Sequence, residues 1–240
     1  MGGNAPTPPA SEPLAPLIAV VGSDGSGKST LAADLLDHIR TTRAAEHGYL
    51  GLGSGEQGRR IGQWPLIGPA LHRWLDGIAD RLRDPAQTIP GVLAARYALN
   101  KSHKRRARFE QLLAARRTGT TIITDRYPQA EIAGLHDGPI LAGIASTARL
   151  KAMQAEELAL YHGMAAYRPT LVIRLNVDVD TAMARKPDHD RSLIAAKVNS
   201  IGRLTFNNAP LVDLDATMPY DEELALAKAA VDAALNGQLA

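Results

Sequence analysis

A glycine-rich segment at residues 22–29, Gly-Ser-Asp-Gly-Ser-Gly-Lys-Ser, has the residue types and spacing of a loop that binds phosphate groups. In the pattern GxxxxGK[ST], the glycines let the backbone turn so that its N–H groups point inward, and the next helix presents its positive end there. We expect Lys28 to reach the β- and γ-phosphates of ATP, and the Ser29 hydroxyl to ligate Mg²⁺. ATP and Mg²⁺ are therefore the predicted cofactors, and the predicted nucleotide-binding residues are Gly22, Ser23, Gly25, Ser26, Gly27, Lys28, Ser29 and Thr30.

The same loop carries an acid, Asp24, beside the expected anion site. Such a residue can be a solvated turn residue or a local cap, or it can contact a hydroxyl group of a phosphate acceptor. The loop has no basic residue before Lys28, because Gly25 follows Asp24. We therefore expect the other cations that stabilise charge during phosphoryl transfer to come from elsewhere in the chain.

A second group of polar residues follows an apolar segment. Residues 121–124, Thr-Ile-Ile-Thr, run directly into Asp125, Arg126 and Tyr127. In open α/β sheets, ligands bind at the carboxyl ends of the strands. We predict that Asp125 holds the water shell of Mg²⁺ or accepts a proton from an attacking hydroxyl, and that the planar guanidinium of Arg126 binds a phosphate. The alternative is an Asp–Arg pair that only closes a loop.

The elements that must position these residues alternate along the chain. Short apolar runs at 17–21, 121–124, 171–175 and 211–214 are typical of strands buried on both faces of a parallel sheet, and 49–52 is a weaker candidate. Helical spacing follows the glycine-rich loop, with apolar residues at Leu31, Leu35, Leu36 and Ile39. The sequence predicts an α/β protein with the P-loop NTPase fold, a parallel sheet of about five strands flanked by helices on both faces.

Composition restricts the class further. With 240 residues, 45% of them hydrophobic, we predict a disordered tail over residues 1–15 and a single domain over 16–240. A net charge of +2 and 4% aromatic residues do not favour a nucleic-acid partner, and no run of eighteen apolar residues suggests a membrane span. We expect a cytoplasmic protein. A basic stretch over 101–117 is interpreted mainly as a solvated helix face with Phe109, Leu112 and Leu113 turned inward, although some of its cations could line an acceptor site.

From about residue 16 to residue 236 the chain resembles the thymidylate kinase family of P-loop nucleoside monophosphate kinases. The resemblance rests on GSDGSGKST at 22–30, LLAARRTGTTIITDRY at 112–127, LVIRLNVDVDTAMARK at 171–186 and LVDLDATMPYDEELALAKAAVDAAL at 211–235. It implies transfer of the γ-phosphoryl group of Mg-ATP to a nucleoside monophosphate. It also implies a homodimer.

The resemblance assigns residues to the acceptor. Asp24 would lie near the sugar hydroxyl of the acceptor, and Arg126 would grip its phosphate, with Tyr127 completing the triplet. Arg96, in LAARYALN, would lie in the acceptor pocket. Beside the adenine base of ATP, the resemblance places two residues of the loop after the last strand, Ala216 and Thr217.

A charged segment near residues 184–192 matches the position of the family's lid. Mobile cations that close over the phosphates would stabilise the charge that shifts during transfer and would exclude water. Arg185 and Arg191 are the first candidates and Lys186 the third, while the alternative is a solvated junction of mixed charge. The predicted catalytic residues are then Lys28, Asp125, Arg126, Arg185 and Arg191.

Two departures from the family pattern concern the acceptor. Thymidylate kinases usually carry Arg-Glu-Pro-Gly-Gly-Thr after the second strand, where this chain has Gly-Leu-Gly-Ser-Gly-Glu at 51–56, and Pro-Gln-Ala at 128–130 replaces the usual serines and aromatic residue. A kinase that phosphorylates a hydroxyl of a sugar or another small metabolite is therefore one alternative. A nucleotide-binding regulatory ATPase without a small acceptor is another.

Overall fold

Five parallel strands form the centre of the structure. The computed structural model describes residues 13–52 and 77–238. Its strands are β1 (Leu17–Gly22), β2 (Ala45–His47), β3 (Thr121–Thr124), β4 (Leu171–Asn176) and β5 (Leu211–Asp215). They pair in parallel in the order β2-β3-β1-β4-β5, so β1 lies in the middle of the sheet. The predicted P-loop NTPase fold and the four strong strand predictions are confirmed.

Helices connect the strands. Within the described ranges they are α1 (Lys28–Arg40), α2 (Val92–Arg117), α3 (Ala148–Ala165), α4 (Val179–Arg185), α5 (Arg191–Ile201) and α6 (Tyr220–Leu235), and residues 77–83 are also helical. The side chains of Thr147, Asp178 and Asp190 cap α3, α4 and α5 by accepting a hydrogen bond from the third backbone N–H group of each helix. None of the helices in these ranges combines the length and the hydropathy that a membrane span requires.

The two faces of the sheet have separate cores, because successive side chains of a strand point to opposite faces. Ile18 and Val20 pack on one side with Leu31 and Leu35 of α1. The alternate residues of β1, Leu17 and Ala19, pack on the other side, where the core includes Phe109 and Leu113 of α2. Burial on both faces explains the continuous apolar runs of the central strands. The same packing holds β1 and β3 in place, and the polar residues that follow these two strands are positioned with them.

The weak strand prediction at 49–52 is wrong. The edge strand β2 lies at Ala45–His47 instead, and only Ala45 of its three residues is buried. Edge strands need no long apolar run, because one side of them faces solvent. Tyr49 is 48% exposed, and the chain leaves the sheet after Gly48, whose N–H donates to the carbonyl of Ile123 at 2.7 Å.

The interpretation of the basic stretch on α2 is only partly right. Phe109 and Leu113 are buried as predicted, but so are the side chains of Lys101, Arg105 and Arg116, which are 8%, 1% and 5% exposed. Buried cations need polar partners. The Nε of Arg116 donates to the carbonyl of Ala15 at 2.6 Å, and Arg105 pairs with the carboxylate of Asp137.

Some predictions lie outside the described residues. They concern residues 1–12 of the predicted tail over 1–15, and residues 53–56 of the altered 51–56 segment. The single domain over 16–240 and the lid near 184–192 stay predictions. In the structure, this lid segment comprises the end of α4, the connection 186–190 and the start of α5.

Candidate active site

Three glycines shape the loop between β1 and α1. A Cβ atom on Gly22 would lie 2.5 Å from Ser26 Oγ and 2.8 Å from the carbonyl oxygen of Leu175, so only glycine fits there. Gly25 and Gly27 have φ angles of +82° and +91°, which other residues rarely adopt. Gly27 is the N-cap residue of α1. The loop therefore leads directly into the positive end of a helix in the centre of the sheet, as phosphate binding requires.

Ser29 and Asp125 meet at the end of β3. The Ser29 hydroxyl donates to Asp125 Oδ2 at 2.6 Å, while Asp125 Oδ1 is buried without a hydrogen-bond partner among the described residues. His47 Nε2 lies 3.7 Å from Oδ1. Mg²⁺ in nucleotide sites prefers oxygen ligands, with one or two carboxylates beside the phosphates. A hydroxyl and a carboxylate with a free buried oxygen fit that ion, although the part of the chain that the structure describes has no cluster of three or more His, Cys, Asp or Glu side chains for a metal.

Lys28 follows the loop and turns back onto it. Its Nζ donates to the carbonyl of Ser23 at 2.5 Å. Burial, together with the charges of Arg126 and Lys197, lowers the pKa of Lys28 to about 8 against the opposite effects of Asp24 and Asp137. At neutral pH most of this ammonium is still charged. A poorly solvated cation of this kind interacts strongly with phosphate oxygens.

A cavity opens beside the loop. It is bounded by the phosphate loop, the carboxyl end of β3, the turn at 136–137 and the end of α5 with the turn that follows. The cavity brings together six predicted residues: Gly22, Asp24, Lys28, Asp125, Arg126 and Tyr127. It also contains residues that were not predicted, among them His136, Asp137, Lys197 and Phe206.

Asp137 sits between two arginines. Arg105 Nη2 lies 2.6 Å from Asp137 Oδ1, and its Nη1 donates to the Asp137 carbonyl at 2.8 Å. Arg126 Nη1 is farther from the same carboxylate oxygen, at 3.5 Å. Burial would raise the pKa of Asp137, but the two guanidinium groups lower it. Since Arg105 is almost fully buried and Arg126 is 40% exposed, Arg105 neutralises the carboxylate and Arg126 keeps donors for a ligand.

Asp24 forms an ion pair across the cavity with Lys197 of α5. Both side chains are 22% exposed. Burial alone would raise the pKa of Asp24, but the ammonium of Lys197, with Lys28 and Arg126, lowers it to about 2. The carboxylate is therefore ionised at any physiological pH, and the pair joins the phosphate loop to the helix that follows the predicted lid.

His136 closes another side of the cavity. His136 and Asp137 have φ angles of +48° and +61°, so two consecutive residues other than glycine hold a left-handed conformation. The ring Nε2 of His136 lies 2.9 Å from Ser200 Oγ of α5. Burial, together with the charge of nearby Lys197, lowers the pKa of His136 to about 4 against the opposite effect of Asp137. The imidazole is therefore neutral at pH 7.

This pKa predicts a pH-dependent loss of stability. Because His136 has a usual pKa of 6.5 and a folded value of about 4, its contribution is present above pH 6.5 and is lost as the pH falls through 4. At about 1.4 kcal/mol per tenfold change in proton affinity, we expect a loss of about 3 kcal/mol. Urea unfolding of the wild-type protein and of His136→Gln between pH 4 and pH 7 tests this. A difference between the two proteins that does not change with pH would contradict it.

Two of the predicted arginines, Arg96 and Arg191, lie away from this cavity, and a third residue, Tyr127, lines it with its hydroxyl already bonded. Arg96 is exposed on α2 and is not part of the cavity lining. Arg191 is 60% exposed and pairs with Asp180 of α4. Tyr127 lines the cavity, but its hydroxyl donates to the carbonyl of Tyr167, and burial raises its pKa.

Arg185 instead connects the two predicted nucleotide-binding segments. Its Nη1 donates to the carbonyl of Gly25 at 3.2 Å and its Nη2 to the carbonyl of Ala216 at 2.9 Å. Thr217 is exposed next to Ala216, and its backbone N–H donates to Asp215 at 2.8 Å. The loop after β5 is thus held beside the phosphate loop. The roles of these residues in binding stay predictions.

The sequence did not predict the side of the cavity opposite the phosphate loop, which we call the far wall and which is formed by His136, Asp137, Lys197 and Phe206. His136 and Asp137 precede a glycine in the sequence His-Asp-Gly, a turn signal that could have identified a constrained loop but not its partner. Lys197 has no local signal, because it lies 173 positions from Asp24. Phe206 begins three consecutive residues with positive φ, a conformation that the sequence Phe-Asn-Asn indicates only weakly.

Comparison with known proteins gives close relatives and distant structural neighbours. No protein-family model matches the chain. It is 41% identical over 222 residues to the "uncharacterized ATP-binding protein YghS" of Escherichia coli K12, which covers 92% of this chain and 94% of YghS. It is 37% identical over 230 residues to the "uncharacterized ATP-binding protein YghR" of the same strain, which covers 95% of this chain and 91% of YghR.

Among solved structures, the deoxyadenosine kinase from M. mycoides has the same fold. With bound dATP it aligns with a TM-score of 0.51 at 14% identity, over 90% of this chain and 98% of the kinase. With the products dCMP and a flexible dCDP bound, the TM-score is 0.52 at 14% identity, over 90% of this chain and 99% of the kinase. The narrower resemblance to thymidylate kinases stays a prediction. Because two relatives match at 41% and 37% identity over almost their whole lengths, the chain belongs to the family of the ATP-binding proteins YghS and YghR.

Proposed function

We propose that this protein is an ATP-dependent kinase that transfers the γ-phosphoryl group to the phosphate of a nucleoside monophosphate. The donor half of the proposal rests on the loop at 22–29, which enters α1 from the central strand with Lys28 folded against it. The relatives YghS and YghR, both named as ATP-binding proteins, support it. Ser29 and Asp125 would hold Mg²⁺, which neutralises charge on the phosphates when it is bound.

The observation that carries the acceptor assignment is the ionisation of Asp24 and Asp137, the acids that line the cavity besides Asp125, which contacts Ser29 at the proposed Mg²⁺ site. An acceptor hydroxyl must lose its proton to a base during attack, whereas a phosphate monoester is already anionic at pH 7. The pKa of Asp24 is lowered to about 2, and the two arginines beside Asp137 lower its pKa as well. Such carboxylates are weak bases. His136, another described residue that lines this cavity, is a poor base too, because its pKa is about 4.

The positive charge of side chains that line the same cavity suits an acceptor that carries a phosphate group. Arg126 keeps donors for a ligand because Arg105 neutralises Asp137, and its fork can bind two phosphate oxygens at once. Its position directly after Asp125 would bring the acceptor phosphate next to the donor site. Catalysis would then depend on positioning and charge stabilisation more than on proton transfer.

The test is a panel of nucleoside monophosphates, nucleosides and sugars, with ADP release as the readout. For the monophosphate that is phosphorylated, Arg126→Lys should raise KM by about 10- to 100-fold, because lysine cannot reproduce the bidentate contact, while KM for ATP changes by less than about 3-fold. Arg149→Ala is the matched control, since Arg149 is exposed at the start of α3. An unchanged acceptor KM in Arg126→Lys would contradict the proposed role.

One alternative keeps the donor site and changes the acceptor to a hydroxyl. It is favoured by the shared fold with a kinase that is named for deoxyadenosine. If the enzyme phosphorylated only the nucleosides or sugars of the panel, that result would select this alternative. ATP binding without any acceptor that raises turnover would instead select a regulatory ATPase.

We also propose, from the family resemblance, that the protein is a homodimer. Light scattering coupled to size-exclusion chromatography would measure this directly. The cytoplasmic location and the absence of a nucleic-acid partner stay predictions from composition.

A further inference from the structure

We propose that Lys197 of α5 binds the acceptor phosphate together with Arg126, an inference that rests on the proposed kinase function. Lys197, Arg126 and Lys28 are three cations that line one cavity, and they reach it from three different elements. Lys28 belongs to the loop that would hold the donor phosphates. Arg126 and Lys197 therefore remain for the phosphate of the acceptor.

The predicted lid cations are engaged elsewhere. Arg185 is held by the backbone carbonyls of Gly25 and Ala216 and is not part of the cavity lining. Arg191 pairs with Asp180 at the surface and is not part of the cavity lining. Lys197 lies six positions after Arg191 on the same helix, and its ammonium does face the cavity. The helix α5 thus supplies the cavity with a cation from its second half, Lys197, and not with its first residue, Arg191.

Contacts of the residues that follow Lys197 hold the end of its helix beside the cavity. Arg174 Nη1 donates to the carbonyls of Ile201 and Leu204, at 3.3 and 3.1 Å, and so holds the carboxyl end of α5. Ser200 contacts His136 across the cavity. The direction of the side chain is set by Asp24, the partner of its ammonium.

The chemistry of lysine allows this double contact. An ammonium group has three donors on a single atom, so Lys197 can keep Asp24 as a partner and still donate to a phosphate oxygen. The partial burial of both side chains reduces screening of these charges by solvent. A phosphate bound there would replace water around the ammonium without breaking the ion pair.

A purely structural role for Lys197 is the competing explanation. In that case Lys197 would only neutralise Asp24, and its loss would weaken phosphate binding through repulsion by the unpaired carboxylate. The two roles differ once Asp24 is replaced by asparagine. Removal of Lys197 then leaves no repulsion behind, so any remaining loss of acceptor affinity comes from the lost contact itself.

The experiment measures binding and turnover in four proteins: wild type, Lys197→Met, Asp24→Asn and the double variant. Calorimetric titration with nucleoside monophosphates, in the presence of a non-hydrolysable ATP analogue, gives acceptor affinity. We expect Lys197→Met to weaken it by about 10- to 100-fold, and by about 10-fold or more in the Asp24→Asn background. Lys197→Arg should restore part of the affinity. Arg203→Ala, which removes an exposed cation just after α5, should leave it unchanged.

The outcomes separate this inference from the proposed function. Equal acceptor affinity of Asp24→Asn and the double variant would overturn the contact of Lys197 with phosphate. A wild-type protein that binds a monophosphate without phosphorylating it would overturn the proposed kinase activity, while the comparison of affinities still tests Lys197. A wild-type protein that binds no monophosphate would overturn both.

Discussion

Replacing Lys28 with methionine should lower the rate of phosphoryl transfer by about 10³-fold without lowering the stability of the fold. The rate should fall because Lys28 is the cation of the phosphate loop, and a thousandfold loss corresponds to about 4 kcal/mol of transition-state stabilisation. Stability should be retained because burial already lowers the pKa of Lys28 to about 8, so the folded state holds this charge at a cost at pH 7. Methionine keeps the apolar length of the side chain and removes that cost.

Two measurements are needed to read this result. ADP release at saturating ATP and acceptor gives the rate, and urea unfolding at pH 7 gives the free energy of unfolding. Arg203→Ala serves as the control for loss of one positive charge at an exposed position. Full activity of Lys28→Met would remove the basis for assigning phosphoryl transfer to this loop. Loss of activity together with unfolding would contradict the stability half of the prediction.

The elements around Lys28 could be predicted because their signals are local. The run Leu-Ile-Ala-Val-Val at 17–21 precedes the glycines, and buried positions recur at helical spacing after Ser29. Asp125 and Arg126 follow another buried strand in the same way. A parallel sheet brings the carboxyl ends of its strands together, so these two local patterns predict one site. The observed distance of 2.6 Å between Ser29 Oγ and Asp125 Oδ2 agrees with that expectation.

The far wall of the cavity could not be predicted because its contacts join distant positions. Arg105 and Asp137 are 32 residues apart, and Lys197 and Asp24 are 173 residues apart. A charged residue on a long helix is usually solvated, and only a buried partner from another element reverses this preference. The periodicity of residues along one helix does not identify a partner that comes from another element. The same reason explains the error at Arg105, whose neighbours on α2 are mostly charged as well.

Replacing Arg105 with methionine should destabilise the protein by about 3 to 5 kcal/mol, the usual result of removing one partner of a buried ion pair. The Asp137 carboxylate would lose its 2.6 Å contact and, among the described residues, would keep the arginine partner Arg126 at 3.5 Å. Arg126 should then be drawn to Asp137 and become less available for an acceptor phosphate. We therefore expect a raised acceptor KM in addition to the loss of stability measured by urea unfolding.

Arg106 provides a matched control on the same helix. It pairs with Glu110 one turn along α2, and the two side chains are 30% and 44% exposed. Arg106→Met should change stability by no more than about 1 kcal/mol, because exposed pairs contribute little. If Arg105→Met proved no more harmful than Arg106→Met, the buried pair would not be holding the 136–137 turn. Adding Asp137→Asn to Arg105→Met should recover part of the lost stability, since it removes the unpaired carboxylate. It should not recover acceptor affinity if the carboxylate of Asp137 is needed to orient Arg126, and this difference separates the stabilising role of Asp137 from its positioning role.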